Sequence, residues 1–168
     1  RIGIPKFHFY SHKEYNGGTQ VWSATQDRDG VLYFATGAHN AGVIQFDGQS
    51  WRKFTLDGQK SVFSIATDDS GKIWVGSFGE WGYLKRDPSG VMRYTSLSSA
   101  WGDSAKKIRH IWRTAIYNNE VFFGALDGVI RYANGKKQWI RPKRSFHYML
   151  PTKNSLWIKD KDEGLMRW

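Results

Sequence analysis

The chain repeats itself. "VWSATQDRDGVLYFATGAHNAGVIQFDGQSWRKF", beginning at Val21, returns as "VFSIATDDSGKIWVGSFGEWGYLKRDPSGVMRY", beginning at Val62. Val21 falls on Val62, Asp27 on Asp68, Gly30 on Gly71, Tyr33 on Trp74 and Gly42 on Gly82. A weaker copy, "IRHIWRTAIYNNEVFFGALDGVIRYANGKKQWI", puts Asn118-Asn119 in place of the Asp-x-x-Gly turn, and a fourth starts at "FHYMLPTKNSLWIKDKDEGLMRW". Gly42, Gly82, Gly128 and Gly164 lie 40, 46 and 36 residues apart. Self-similarity at a period of about 40 residues marks a solenoid or a propeller, because one unit cannot bury its apolar face without its neighbours.

Within each copy apolar residues alternate over four to six positions and stop at turn signals, which is the period of a strand. In the second copy this gives strands over Ser61–Thr67, Lys72–Gly76, Gly82–Arg86 and Val91–Tyr94. The only place for a short helical turn is Leu97 to Ile108. Nine Trp, eight Tyr, ten Phe and 18 Gly fit β structure with many turns. The expected fold is therefore all-β: a β-propeller of about four blades, each a four-stranded antiparallel meander. The blades fall at about 18–56, 60–96, 107–141 and 145–168, in one propeller region over 1–168 that is expected to be part of a larger propeller. Tyr33, Trp74, Phe122 and Trp157 are expected to fill the wedges between blades, with Ala35, Gly76 and Gly124 letting backbones approach.

The fourth copy ends after its third strand, and residues 5–10 offer a closing strand for it. Three arrangements stay open: a closed four-bladed ring, two copies joined into an eight-bladed ring, or a piece of a larger propeller. The last is favoured, with self-association through open blade edges or as a homodimer covering the aromatic faces.

The repeat resembles the two-component regulator propeller repeat, whose form is Asp-x-x-Gly, then Ile-Trp-Val-Gly, then a loop and Gly-Leu-x-Arg. Asp68–Gly71, Ile73–Gly76 and Gly82–Arg86 match it, as do Asp27–Gly30, Leu32–Ala35 and Gly42–Phe46. Leu156-Trp157-Ile158 and Gly164-Leu165-Met166-Arg167 keep part of it, and the third copy departs most. The resemblance implies a periplasmic sensor: the extracytoplasmic, ligand-sensing part of a membrane-anchored bacterial signalling protein. The output would be a histidine kinase, a diguanylate cyclase or a DNA-binding regulator, and several such proteins sense oligosaccharides. No output motif, signal peptide or apolar run near the roughly 18 residues of a membrane span is present in this sequence.

A propeller ligand belongs on the face where the loops before the first strand and between the second and third strands of each blade converge. There Trp81 or Trp101 would stack on a sugar ring, and His39 and Asn40 would bond hydroxyls. Glu80 adds a carboxylate, and Arg109, Arg141, Lys143 and Arg144 would hold a carboxylate or sulfate. The bland reading is that Trp81 caps a blade interface and the basic run is a solvated loop.

Neither catalytic residues nor a metal or other cofactor is expected. His8 and His12 sit on an apparent strand and its exit, where a four-residue spacing does not converge two rings, and no Gly-x-Ser-x-Gly elbow exists. Asp27, Asp29, Asp68 and Asp69 are explained by Asx turns. His110 and His147, at related places in copies three and four, leave a propeller lyase as a minor alternative. A formal net charge of +10 admits a polyanion or scaffold role, but the basic stretch "KKQWIRPKR" stands alone, which makes nucleic acid an unlikely partner.

Overall fold

The turns explain the repeat. Asp68 Oδ1 accepts from the backbone N–H groups of Ser70 (2.8 Å) and Lys72 (3.1 Å), and Asp27 does the same for Asp29 and Val31. Gly30 and Gly71 close these turns at φ +83° and +77°, the left-handed region that favours glycine. In the third copy Asn118 and Asn119 both take positive φ, making a two-residue hairpin turn without the aspartate.

Between such turns run fifteen strands in a computed structural model, which describes Gly3 and residues 6–102 and 108–168. Blade one is β1 (Gln20–Gln26), β2 (Leu32–Gly37), β3 (Gly42–Phe46) and β4 (Trp51–Phe54). Blade two is β5 (Val62–Thr67), β6 (Ile73–Ser77), β7 (Trp81–Arg86) and β8 (Met92–Ser96). Blade three is β9 (Ile111–Tyr117), β10 (Glu120–Ala125), β11 (Gly128–Ala133) and β12 (Lys136–Ile140). Blade four is β13 (Phe146–Thr152), β14 (Ser155–Asp160) and β15 (Gly164–Arg167). Each sheet is an antiparallel meander with strands in chain order, four-stranded in the first three blades and three-stranded in the last. The fold is a four-bladed β-propeller arrangement. A single 3-10 turn, Ser99–Trp101, lies where the helical turn was expected, and residues 103–107 of that stretch lie outside the described residues.

Three apolar cores sit between consecutive blades. Tyr33, Ala35 and Val43 meet Val62, Ile73 and Val75; Trp74 and Trp81 meet Ile111, Val121 and Phe123; Phe122 and Val129 meet Met149, Leu156 and Ile158. Tyr33, Trp74 and Phe122 thus fill their wedges, each no more than 3% exposed. The backbones close in behind them: a Cβ on Gly76 would lie 2.4 Å from Ile111 Cγ2.

Trp157, expected to do the same, is only half-buried. Leu156 and Ile158 face blade three, so Trp157 points away from it, alongside its cross-strand neighbour Leu150 and with Leu165, which is 67% exposed. No described blade covers that face. The expected closing strand is also absent: Lys6–Tyr10 form no strand, and Pro5 lies outside the described residues. Tyr10 instead packs on Phe46 and Trp51 of blade one, ring centroids 5.4 and 5.1 Å away, and Tyr15 joins Trp51 at 5.7 Å. Of the stretch expected to close the propeller only Tyr10 caps the outward face of blade one, where its ring gains apolar contact, while Phe7 and Phe9 stay exposed.

Candidate functional site

Every innermost strand breaks register at the same place. The pairing of β1 with β2 skips Trp22, that of β5 with β6 skips Phe63, that of β9 with β10 skips Trp112, and that of β13 with β14 skips His147. A bulge leaves one residue out of the ladder and re-aims its side chain. In the first three blades the re-aimed rings meet, and in the fourth His147 lines a cavity that Trp112 also lines. Trp22 lies edge-on to Phe63 (5.9 Å) and to Trp112 (5.8 Å), Phe63 meets Trp112 at 4.9 Å, and His110 stacks on Trp112 at 4.9 Å and 15°. Phe78, from the β6–β7 loop, completes the group against His110. Trp22 is 41% exposed, so the row is not a sealed core. His110 and His147 were singled out in the sequence, but Trp22, Phe63, Phe78 and Trp112 were missed, although "VWS", "VFS" and "IWR" recur near the start of three of the four copies.

A cavity of about 200 Å³ opens beside the row between blades three and four, lined among others by Trp112, Arg113, Gly124, His147 and Tyr148. The Arg113 guanidinium lies 5.5 Å from the Tyr148 ring centre, and His147 Nε2 is 3.0 Å from Ser145 Oγ.

The residues picked from the sequence scatter. Trp81 is 0% exposed in the core between blades two and three, where it has no face to offer a ligand. Strand β7 starts at Trp81 and not after it, and its pairing with Gly76 carries the indole inward. Glu80 is held by Tyr94 Oη (2.8 Å), Ser96 Oγ (2.7 Å) and Lys60 (3.7 Å), and its negative charge, after burial, pushes the Tyr94 hydroxyl well above its ordinary range. Asn40 donates to the backbone and side-chain oxygens of Asn16 and accepts from Lys53, tying down the segment ahead of blade one. His39 beside it is exposed, as is Arg109.

Trp101, Arg141 and Arg144 do converge, with Trp139 and Asp127, on an open cleft of about 660 Å³ above blade three. Trp101 and Trp139 meet there edge to face at 6.3 Å. Lys143 and Arg144 are also engaged by the last loop of blade four: Lys143 pairs with Glu163, which raises its pKa above the usual lysine value, and Arg144 lies 3.6 Å from Asp162. Residues 103–107 of the Ala100–Arg109 loop lie outside the described residues. Among the described residues no three His, Asp or Glu come together as a metal site; His8 lies against Tyr10, and His110 and His147 are engaged as above. No helix among them is long and apolar enough to cross a membrane.

Residues 55–79 match the family model described as Two component regulator propeller. The second blade carries a two-component regulator propeller repeat. The chain is similar in structure to the extracellular domain of a protein described as the one component system BT4673 of B. thetaiotaomicron, at 20% identity and TM-score 0.67, over 89% of this chain and 21% of that one. It is similar also to the extracellular domain described as that of the hybrid two component system BT3049 of the same organism, at 19% identity and TM-score 0.65, over 95% and 22%. Virginiamycin B lyase from Staphylococcus aureus shares the fold at 14% identity and TM-score 0.66, over 95% and 58%. No curated protein matches the chain. At these identities the likeness establishes the fold, and the chain spans about a fifth of the two B. thetaiotaomicron structures.

Proposed function

We propose that this propeller is the ligand-sensing part of a bacterial membrane signalling protein, held in the periplasm, and that it does no catalysis of its own. It takes a small ligand, an oligosaccharide first among the candidates, along the row of Trp22, Phe63 and Trp112. The carrying observation is the bulge repeated in all four innermost strands, which brings the rings of the first three blades together on a surface that stays partly exposed and sets His147 of the fourth along the adjoining cavity. Aromatic faces suit sugar rings because stacking contributes without demanding one fixed hydrogen-bond pattern. The regulator propeller repeat in blade two and the likeness to extracellular sensor domains support the setting. Ligand on the row would bias how blades and neighbouring copies pack, with the uncovered face of Leu150, Trp157 and Leu165 as the surface for self-association, and the full-length protein would carry that change to its membrane anchor.

An array of neutral and acidic oligosaccharides, probed with the wild type and with Trp112→Ala, tests this. Binding by the wild type that the variant loses supports the reading. Binding that the variant keeps moves the site elsewhere, and no binding to any saccharide removes the saccharide ligand.

A further inference from the structure

We infer that the seam between blades three and four is a subsite for a ring that carries a carboxylate, with Arg113 as the anion's partner. The inference rests on the ligand-binding reading above and names the ligand class and the place where it is recognised.

The three seams between blades are built on one plan. The residue after each bulge sits opposite a small residue of the neighbouring strand: Ser23 opposite Ala35, Ser64 opposite Gly76, Arg113 opposite Gly124. At the first two seams that residue is a serine which sews adjacent blades together. Ser23 Oγ accepts from Ile65 N–H at 3.4 Å, and Ser64 Oγ donates to the Ile111 carbonyl at 2.9 Å and lies 2.8 Å from Thr114 Oγ1. At the third seam the serine is replaced by Arg113, and among the described residues no side-chain suture takes its place, although Phe146 N–H still donates to the Leu126 carbonyl at 3.0 Å. One Arg113 N–H goes to the carbonyl of Trp112 at 3.1 Å, and the guanidinium lies along the Tyr148 ring.

The spacing of the strands follows the same division. A Cβ at Gly76 would meet Ile111 at 2.4 Å, whereas at Gly124 the nearest atom is the terminal methyl of Met149 at 3.3 Å. The third seam therefore holds the cavity of about 200 Å³. Pockets for drug-sized ligands start at about 300 Å³, so this one takes a single ring. Its lining supplies aromatic faces from Trp112 and Tyr148, apolar walls from Leu126 and Ile158, and the nitrogen groups of Arg113 and His147. Among the described residues no carboxylate lines it. A guanidinium beside an aromatic face in a cleft without acids recognises a planar anion on a ring, and its fork matches a carboxylate with two parallel N–H donors. Because Trp112 belongs both to this cavity and to the aromatic row, the acidic ring would end a ligand whose remaining rings run toward Phe63 and Trp22.

Two sources share this chemistry, a terminal uronate of a glycan and a free aromatic acid. Methyl glucuronide, methyl glucoside and benzoate, titrated into the wild type and Arg113→Ser, separate them by calorimetry or by indole NMR shifts. Arg113→Ser places at this seam the residue that the other two already use, so the variant is expected to fold, and its melting curve checks that it does. The expected result is that methyl glucuronide binds at least tenfold tighter than methyl glucoside, and that Arg113→Ser removes the difference. Benzoate binding that depends on Arg113, without glucuronide binding, assigns the site to aromatic acids. Equal binding of the acidic and neutral glycosides, or acid binding unchanged in Arg113→Ser, overturns the inference. Array saccharides that bind the row regardless of charge and of Arg113 leave the ligand-binding reading standing and sink only this subsite. Failure of every saccharide and of benzoate sinks both.

Discussion

The indole of Trp74 donates from Nε1 to Oδ2 of Asp68 at 2.8 Å, so the aspartate that shapes the β5–β6 turn also anchors the aromatic that fills the wedge to blade three. Tyr33 repeats the relationship with Asp27 at 3.1 Å in blade one. The six-residue spacing between acid and aromatic therefore joins turn geometry to blade packing. Replacing Trp74 by Phe keeps a large ring and deletes the bond to a charged acceptor. It is expected to cost about 1.5–3 kcal/mol in urea unfolding, beyond any loss from the smaller ring.

Acid should loosen the turns of Asp68, Asp47 and Asp87. Burial raises the pKa of Asp68, but hydrogen bonds from Ser70, Trp74 and the Lys72 backbone outweigh it and leave it lowered; Ser50 and Gln49 hold Asp47 down to about 2, and Ser89 and Arg93 lower Asp87. A lowered folded-state value means that the unfolded chain binds more protons in the window between the two values. The stability contributed is complete above the ordinary aspartate range and is lost as pH falls through the folded values. Melting temperature should fall steadily from about pH 4 to about pH 2, and replacing Asp47 and Asp87 together by Asn should flatten that fall.

At the alkaline end Tyr33 gives the opposite sign. Burial first, and then the neighbouring charge of Asp27, push its hydroxyl up to about 12. Stability from keeping it neutral is complete below the ordinary tyrosine value near 10 and is lost as pH rises toward the folded value. Tyr33→Phe should remove that part of the alkaline loss in pH-dependent melting.

The seams should respond unequally to one methyl group. Gly76→Ala drives a Cβ into Ile111 and is expected to cost about 1–3 kcal/mol by overpacking. Gly124→Ala presses only on a flexible methionine methyl and touches Arg113 at ordinary contact distance, so its melting temperature should stay near the wild type while its added methyl narrows the cavity at the third seam.

The wedge aromatics should divide in the same way. Phe122→Ala, at a fully buried position, is expected to cost about 3–5 kcal/mol. Trp157→Ala, at the equivalent place on an uncovered face, should cost much less in urea unfolding, and it should reduce any self-association seen by light scattering.

The blades were legible in the sequence because their turns carry chemistry that few conformations accept. Asp27 and Asp68 with their glycines, and Asn118-Asn119, fix where hairpins close, and the aromatics at Tyr33, Trp74 and Phe122 follow at set distances. The site was less legible. Trp81 reads as a loop residue by spacing, yet a strand that starts one position earlier turns its ring inward. The bulges at Trp22, Phe63, Trp112 and His147 break the two-residue alternation on which strand reading depends, so the residues that they re-aim fall out of the pattern. Lys6–Tyr10 look like a strand by composition, yet only Tyr10 finds a partner, on the half-buried rings of Phe46 and Trp51 in blade one.

The most direct test of the ligand face uses the chain's nine indoles as reporters. With each indole N–H assigned by single Trp→Phe replacement, the protein is titrated with neutral and uronate-bearing tetrasaccharides and followed by NMR. Trp22 and Trp112 are expected to shift with the ligand while the buried Trp74 and Trp81 stay in place. Shifts at Trp101 and Trp139, with Trp22 and Trp112 unmoved, would contradict this expectation and put the ligand in the cleft above blade three.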